Sequence, residues 1–179
     1  MHFLSRALNR PAADIRSAKE FLDVISIEYE SLLDVHEPTD AKSAILKLLR
    51  SSEPEESTEL CWNWKSPQLH ILRTIKNRGK SYNGRPLSLG YFGAYSMDGL
   101  AMALHAFYTT TSFNEAVVKV INFLGDSDTT GSICAQIAGA FYGIDAIDPV
   151  WIRDLNTWDD REIELRAILL ATSTSSHSR

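Results

Sequence analysis

Asp126 and Asp128 stand two residues apart, with hydroxyls beside them at Ser127, Thr129 and Thr130. Carboxylates and an alcohol are hard oxygen donors. They suit Mg²⁺, Mn²⁺ or Ca²⁺ far better than Zn²⁺, which favours nitrogen and sulfur. If the backbone from Asp126 to Asp128 is extended, side chains i and i+2 point the same way and both carboxylates face one spot. A plainer reading stands beside this one: Asp128 or Thr129 caps the helix that follows, and Asp126 is solvated.

Two other homes for such a loop fail on the residues. An EF-hand loop needs a glutamate at its twelfth position, which here is Ile137. Phosphatases with an Asp-x-Asp-x-Thr loop place a buried strand before it and most of their domain after it. Here a helical pattern precedes the loop and a short tail follows.

The elements that must position the acids are helices. Phe113, Ala116, Val117, Val120, Ile121 and Leu124 recur at the spacing of one buried face. Ser112 with Glu115 is a capping box that starts this helix, and Gly125 ends it. After the acids, Gly131, Ala135, Ala138, Gly139, Ala140 and Gly143 lie in a second apolar helix. Small residues allow close backbone approach, so this helix is expected to be central. Its free N-terminal N–H groups and dipole suit nearby carboxylates.

The stretch from Leu124 to Gly143 closely resembles the C-terminal signature of the ADP-ribosylglycohydrolase family. That family includes the ADP-ribosylarginine hydrolases and the dinitrogenase-reductase-activating glycohydrolase. Its usual form is Gly-Gly-Asp-(Thr/Ser)-Asp-(Thr/Ser), followed by a small-residue helix. Leu124 stands where the first glycine is usual. The resemblance implies a binuclear Mg²⁺ or Mn²⁺ site. Asp126, Asp128 and Thr129 match the C-terminal share of its ligands. The family's two ions hold the distal ribose hydroxyls and a water that attacks the anomeric carbon. No catalytic base is singled out.

Between Gly79 and Tyr95, glycines alternate with Tyr82, Tyr91, Phe92 and Tyr95. Such a loop is either a connection or a substrate wall, with a ring stacking on a purine and glycine N–H groups near phosphate. Asp98 lies in the first turn of the helix that Ser96 can cap, and either serves the helix dipole or binds substrate. The family has an aspartate at this place, in a segment reading much like Gly-x-x-Gly-His-Asp-Ala in the arginine-hydrolase branch. Here the aspartate matches and the histidine does not. The resemblance implies a distal-ribose contact for Asp98, with Tyr91, Gly93 and Tyr95 also on the substrate side.

The rest of the chain frames these segments. Helices are expected from Ala12 to Leu33, from Asp40, from Ser66-Pro67, from Asp148-Pro149 and from Asp160. Trp62 and Trp64 read as core anchors. Ser51 to Glu59 reads as a solvated acidic loop. No segment alternates as a strand, so the expected class is all-α: an orthogonal helical bundle like the C-terminal part of the family's fold. One partial domain is expected over residues 1–171, with a disordered tail at 172–179.

Net charge −5 offers no basic footprint for nucleic acid. Two cysteines far apart, the lack of an apolar signal core and the lack of a membrane-length apolar run point to the cytoplasm. The family's N-terminal motifs, a Gly-Asp segment and Thr-Asp-Asp-Thr, are absent, so the chain reads as a C-terminal half. Two functions follow. One is a metal-dependent hydrolase that removes ADP-ribose from a modified protein side chain, with ADP-ribosylated protein or ADP-ribose as partner. Arginine is the favoured acceptor because Asn63 to Pro67 and Asp126-Ser-Asp resemble that branch. The other is an inactive family relic acting as a helical interaction or regulatory protein. A truncated core would expose apolar surface and favour self-association.

Overall fold

The computed structural model describes residues 2–9, 17–33 and 39–174. It is all-α, with nine α-helices and one two-stranded ribbon among those residues. The chain forms two compact units, Met1–Ala146 and Ile147–Arg179.

The first unit carries helices α1 (His2–Leu8), α2 (Ala18–Leu32), α3 (Asp40–Arg50) and α4 (Ile71–Arg78). A hairpin follows, β1 (Ser81–Tyr82) pairing antiparallel with β2 (Arg85–Pro86). Then come α5 (Ser96–Tyr108), α6 (Phe113–Ile121) and α7 (Ser127–Tyr142). The second unit is the pair α8 (Pro149–Asp159) and α9 (Glu162–Thr174). No helix among the described residues is long and apolar enough to cross a membrane.

The central helix is α5 rather than α7. From Ala101 to Phe107 every side chain of α5 is buried, because this helix is covered on all sides. It packs against α7, α6 and α2. The small residues of α7 do permit a close approach. A methyl group on Gly131 would lie 3.1 Å from Ile121 Cγ2. Its other side remains exposed at Ser132 and Gln136.

Several helix boundaries differ from the sequence expectation. Helix α2 starts at Ala18 with Ser17 as its cap, and residues 12–16 of the expected helix lie outside the described ones. Its last turn leaves the core, so Leu32 is exposed. Thr39, not Asp40, caps α3. Ser66-Pro67 does not start a helix. Ser66 closes a turn onto the Asn63 carbonyl, and α4 begins at Ile71. Tyr95 takes the N-cap position of α5 that Ser96 was expected to fill. Helix α9 starts at Glu162 rather than Asp160; the Asp159 carboxylate, expected as a cap, accepts from the N–H groups of Arg161 and Ile163. Helix α9 continues through Thr174, into the segment expected to be a tail; residues 175–179 lie outside the described ones.

Candidate functional site

The acid pair sits on the joint between α6 and α7. Ser112 accepts from the Glu115 N–H and starts α6 as expected. The helix ends at Ile121, and the chain then turns through two left-handed residues, Leu124 (φ +63°) and Gly125 (φ +71°). A glycine is required at 125. A Cβ there would lie 2.3 Å from the Phe92 carbonyl oxygen.

The segment from Asp126 to Asp128 is not extended. Ser127 already belongs to α7, and Asp126 occupies its N-cap position without a side-chain capping bond. The backbone N–H of Thr129, then the Asp126 side chain and the N–H of Asp128 itself, hold the Asp128 pKa below the usual carboxylate range. These neighbours belong to the first turn of α7, not to a pleat. Thr129 is exposed, and its hydroxyl makes no hydrogen bond among the described residues.

Two carboxylates and a free hydroxyl at a helix N-terminus have the donor chemistry of a share of a divalent-cation site. They are a share only. Among the described residues no group of three or more Asp, Glu, His or Cys could hold a metal ion.

The tyrosine- and glycine-rich loop lies directly against this turn. The Asp126 N–H donates to the Phe92 carbonyl at 3.0 Å. A Cβ on Gly93 (φ +100°) would lie 2.9 Å from Thr130 Cγ2, so the loop is pressed onto the first turn of α7. The same loop lines a cavity of about 800 Å³. Tyr91, Gly93, Tyr95 and Asp98 all line it. The four residues assigned to substrate from sequence therefore share one concave surface. Tyr91 is 77% exposed and Tyr95 37%.

Asp98 plays a different part from its neighbours. Its side chain is buried, and both oxygens are taken. Arg78 Nη1 donates to Oδ2 at 2.6 Å and Nη2 to Oδ1 at 2.8 Å. Trp62 Nε1 also donates to Oδ1 at 2.8 Å. Burial works to lower the Arg78 pKa, and the hydrogen bonds and charge of Asp98 outweigh it, so the guanidinium stays charged. Asp98 is thus the anchor of the cavity floor.

Sequence reasoning passed over Arg78 in this wall and named Tyr82 only as one aromatic of the loop. Arg78 lies 3.9 Å from the centre of the Tyr82 ring, and its Nε donates to the Thr58 carbonyl. Tyr82 donates to Glu59; burial and this carboxylate both push the phenol pKa up. The loop read as a solvated connection, 51–59, thus backs the cavity. Tyr95 packs edge-on against Tyr82 at 5.8 Å and lies 6.5 Å from Trp62, ring centre to ring centre. The signal available in sequence was the cluster Arg78, Tyr82 and Arg85 around a glycine turn.

The profile of the ADP-ribosylglycohydrolase family matches residues 3–177. An ADP-ribosyl-[dinitrogen reductase] glycohydrolase of Rhodospirillum rubrum is 36% identical over 74 residues, which are 41% of this chain and 25% of that protein. An ADP-ribosylarginine hydrolase Tri1 of Pseudomonas putida (strain GB-1) is 33% identical over 58 residues, 32% of this chain and 16% of that protein. The Tri1 hydrolase of Serratia proteamaculans (strain 568) is 34% identical over 61 residues, 34% of this chain and 17% of that protein. The matched segments thus span a quarter or less of each of these relatives. No solved structure matches.

Proposed function

The chain belongs to the ADP-ribosylglycohydrolase family, and on that premise we propose that it contributes to hydrolysis of the N-glycosidic bond joining ADP-ribose to a protein side chain, with arginine as the acceptor. The observation that carries this reading is the junction of acids and cavity. Tyr91, Gly93, Tyr95 and Asp98 line one concave surface, and its wall is hydrogen-bonded through Phe92 to the turn bearing Asp126 and Asp128.

Each part has a task suited to its chemistry. The rings of Tyr91 and Tyr95 offer faces for a purine. Arg78, held by Asp98, supports the rings of Tyr82 and Phe92, and Tyr82 in turn packs on Tyr95. Asp126, Asp128 and Thr129 would contribute oxygens to an Mg²⁺ or Mn²⁺ ion, which when bound supplies Lewis-acid polarisation and an activated water. In the overall reaction water adds its oxygen to the anomeric carbon, the carbon–nitrogen bond breaks, and the departing guanidino nitrogen takes a proton. The test is release of ADP-ribose from an ADP-ribosylarginine protein by the purified chain with Mg²⁺. Release that disappears in Asp128→Ala supports the proposal, and no release from the wild-type chain overturns it.

One observation favours a second reading. Two carboxylates and a hydroxyl cannot fill an octahedral shell, and among the described residues no third Asp, Glu, His or Cys joins them. A family member that binds ADP-ribose without turning it over, and acts as a helical interaction or regulatory protein, fits that shortfall. It would show ADP-ribose binding with no release in the same assay.

A further inference from the structure

Seven of the described arginines, at 6, 50, 73, 78, 153, 161 and 166, each have a carboxylate within ion-pair distance. Arg85 has none among the described residues, and it lines the cavity. We infer that Arg85 is the residue that holds the diphosphate of the bound nucleotide and so selects a phosphate-bearing ligand over a neutral nucleoside. This deepens, and rests on, the function proposed above.

The hairpin fixes where the Arg85 side chain goes. Arg85 pairs directly with Tyr82 across the ribbon, and directly opposed residues of an antiparallel pair project from the same face. Tyr82 is stacked on the buried Arg78 guanidinium, so that face is the one turned to the cavity. The turn between them, Asn83 (φ +51°) and Gly84 (φ +74°), has both central residues left-handed, the tight type I′ connection that fixes hairpin register. Arg85 is thus held to the rim by short, well-defined backbone rather than by a long loop.

Charge gives the same direction. Arg78 and Asp98 neutralise one another in the floor. Glu59 keeps its charge but sits behind Tyr82, to which it is hydrogen-bonded, and does not line the cavity. Among the described residues that line it, Arg85 is therefore the one charge left without an opposite partner, beside three tyrosine rings. An aromatic base with an attached anion suits that combination, and a planar guanidinium can grip two phosphate oxygens at once. The acids at 126 and 128 do not line the cavity and are joined to it through the Phe92 carbonyl; a cation rather than a phosphate suits them.

The test is calorimetric binding of ADP-ribose and of adenosine to wild type, Arg85→Gln and Arg85→Lys. Arg85 is exposed, so both variants should fold; matching thermal midpoints confirm it. Arg85→Gln is expected to weaken ADP-ribose about tenfold or more, the effect of losing hydrogen bonds to a charged group, and to leave adenosine unchanged. Arg85→Lys is expected to fall between, because it keeps charge and loses the fork. Equal ADP-ribose affinity in wild type and Arg85→Gln overturns the assignment of Arg85 while leaving the proposed function standing. Failure of the wild-type chain to bind ADP-ribose overturns both.

Discussion

Arg78 and Asp98 meet in a two-pronged ion pair, at 2.6 and 2.8 Å, with both side chains withdrawn from solvent. The pair joins α4 to α5 beneath the tyrosine wall. Removing one partner of such a pair leaves an uncompensated buried charge. Asp98→Ala is therefore expected to cost about 3–5 kcal/mol, read as a lower urea midpoint. A loss under about 1 kcal/mol would mean that water reaches the guanidinium in the variant and the floor is less closed than described.

Leu124 carries strain that one substitution can relieve. It is 62% exposed and left-handed at φ +63°. That conformation costs an L-residue about 1–2 kcal/mol, against roughly 0.5–1 kcal/mol of extra chain entropy for glycine. Leu124→Gly should raise stability by about 0.5–1 kcal/mol by this difference. A neutral or negative result would point to apolar contacts of Leu124 that outweigh the backbone term. Gly125→Ala should do the reverse, because its Cβ would collide with the Phe92 carbonyl.

Much of this was legible in the sequence, and the failures have physical reasons. The capping box at Ser112, the cap at Asp148 and the two core tryptophans follow from local rules that tertiary packing does not contest. The end of α6 does not: it was expected at Gly125, but the helix stops at Ile121 and Leu124 is exposed. Nor does the face of α4. Its buried stripe is Ile71, Thr74 and Arg78, while Leu72 is 71% exposed. Apolar periodicity favours a face carrying leucine and cannot anticipate that an arginine goes inside. Only the position of Asp98, twenty residues on, makes that burial tolerable. The same pairing changed Asp98 from a ligand candidate into an anchor. For Asp126 and Asp128 the expected extended backbone is replaced by the first turn of α7, because Ser127 already belongs to that helix.

His105 should make stability depend on pH. It is buried, and its Nδ1 lies 3.0 Å from the Trp64 carbonyl, which accepts the ring proton. Burial lowers its pKa from 6.5 to about 4; the carbonyl opposes this and Lys119 adds to it. The unfolded chain thus takes up a proton below pH 6.5 that the folded chain refuses until about 4. Stability is fully present above pH 6.5 and falls between there and 4, by up to about 3 kcal/mol from this group. Thermal midpoints measured from pH 7.5 to 4.5 should fall in wild type and fall less steeply in His105→Gln. Parallel slopes would assign the loss to the carboxylates instead.

Asp128 is exposed at the start of α7. Asp128→Asn should therefore leave the thermal midpoint within a degree or two, as surface changes do. Under the proposed function it should nevertheless lower ADP-ribose release by more than the roughly 10–100-fold seen for groups that merely orient a metal ligand. EDTA should have the same effect on wild type and none on the variant's residual rate. Unchanged release in Asp128→Asn would remove the acid pair from the reaction.

The bond from the Asp126 N–H to the Phe92 carbonyl is made entirely of main chain. Every residue type supplies that carbonyl, so no side-chain exchange at 92 can sever the link, and only proline at 126 would. Under the proposed function, a nucleotide that tugs on the tyrosine loop would pull on the turn that bears the carboxylates. The grip on the base and the placement of the acids would then be mechanically one device, coupled through main chain alone.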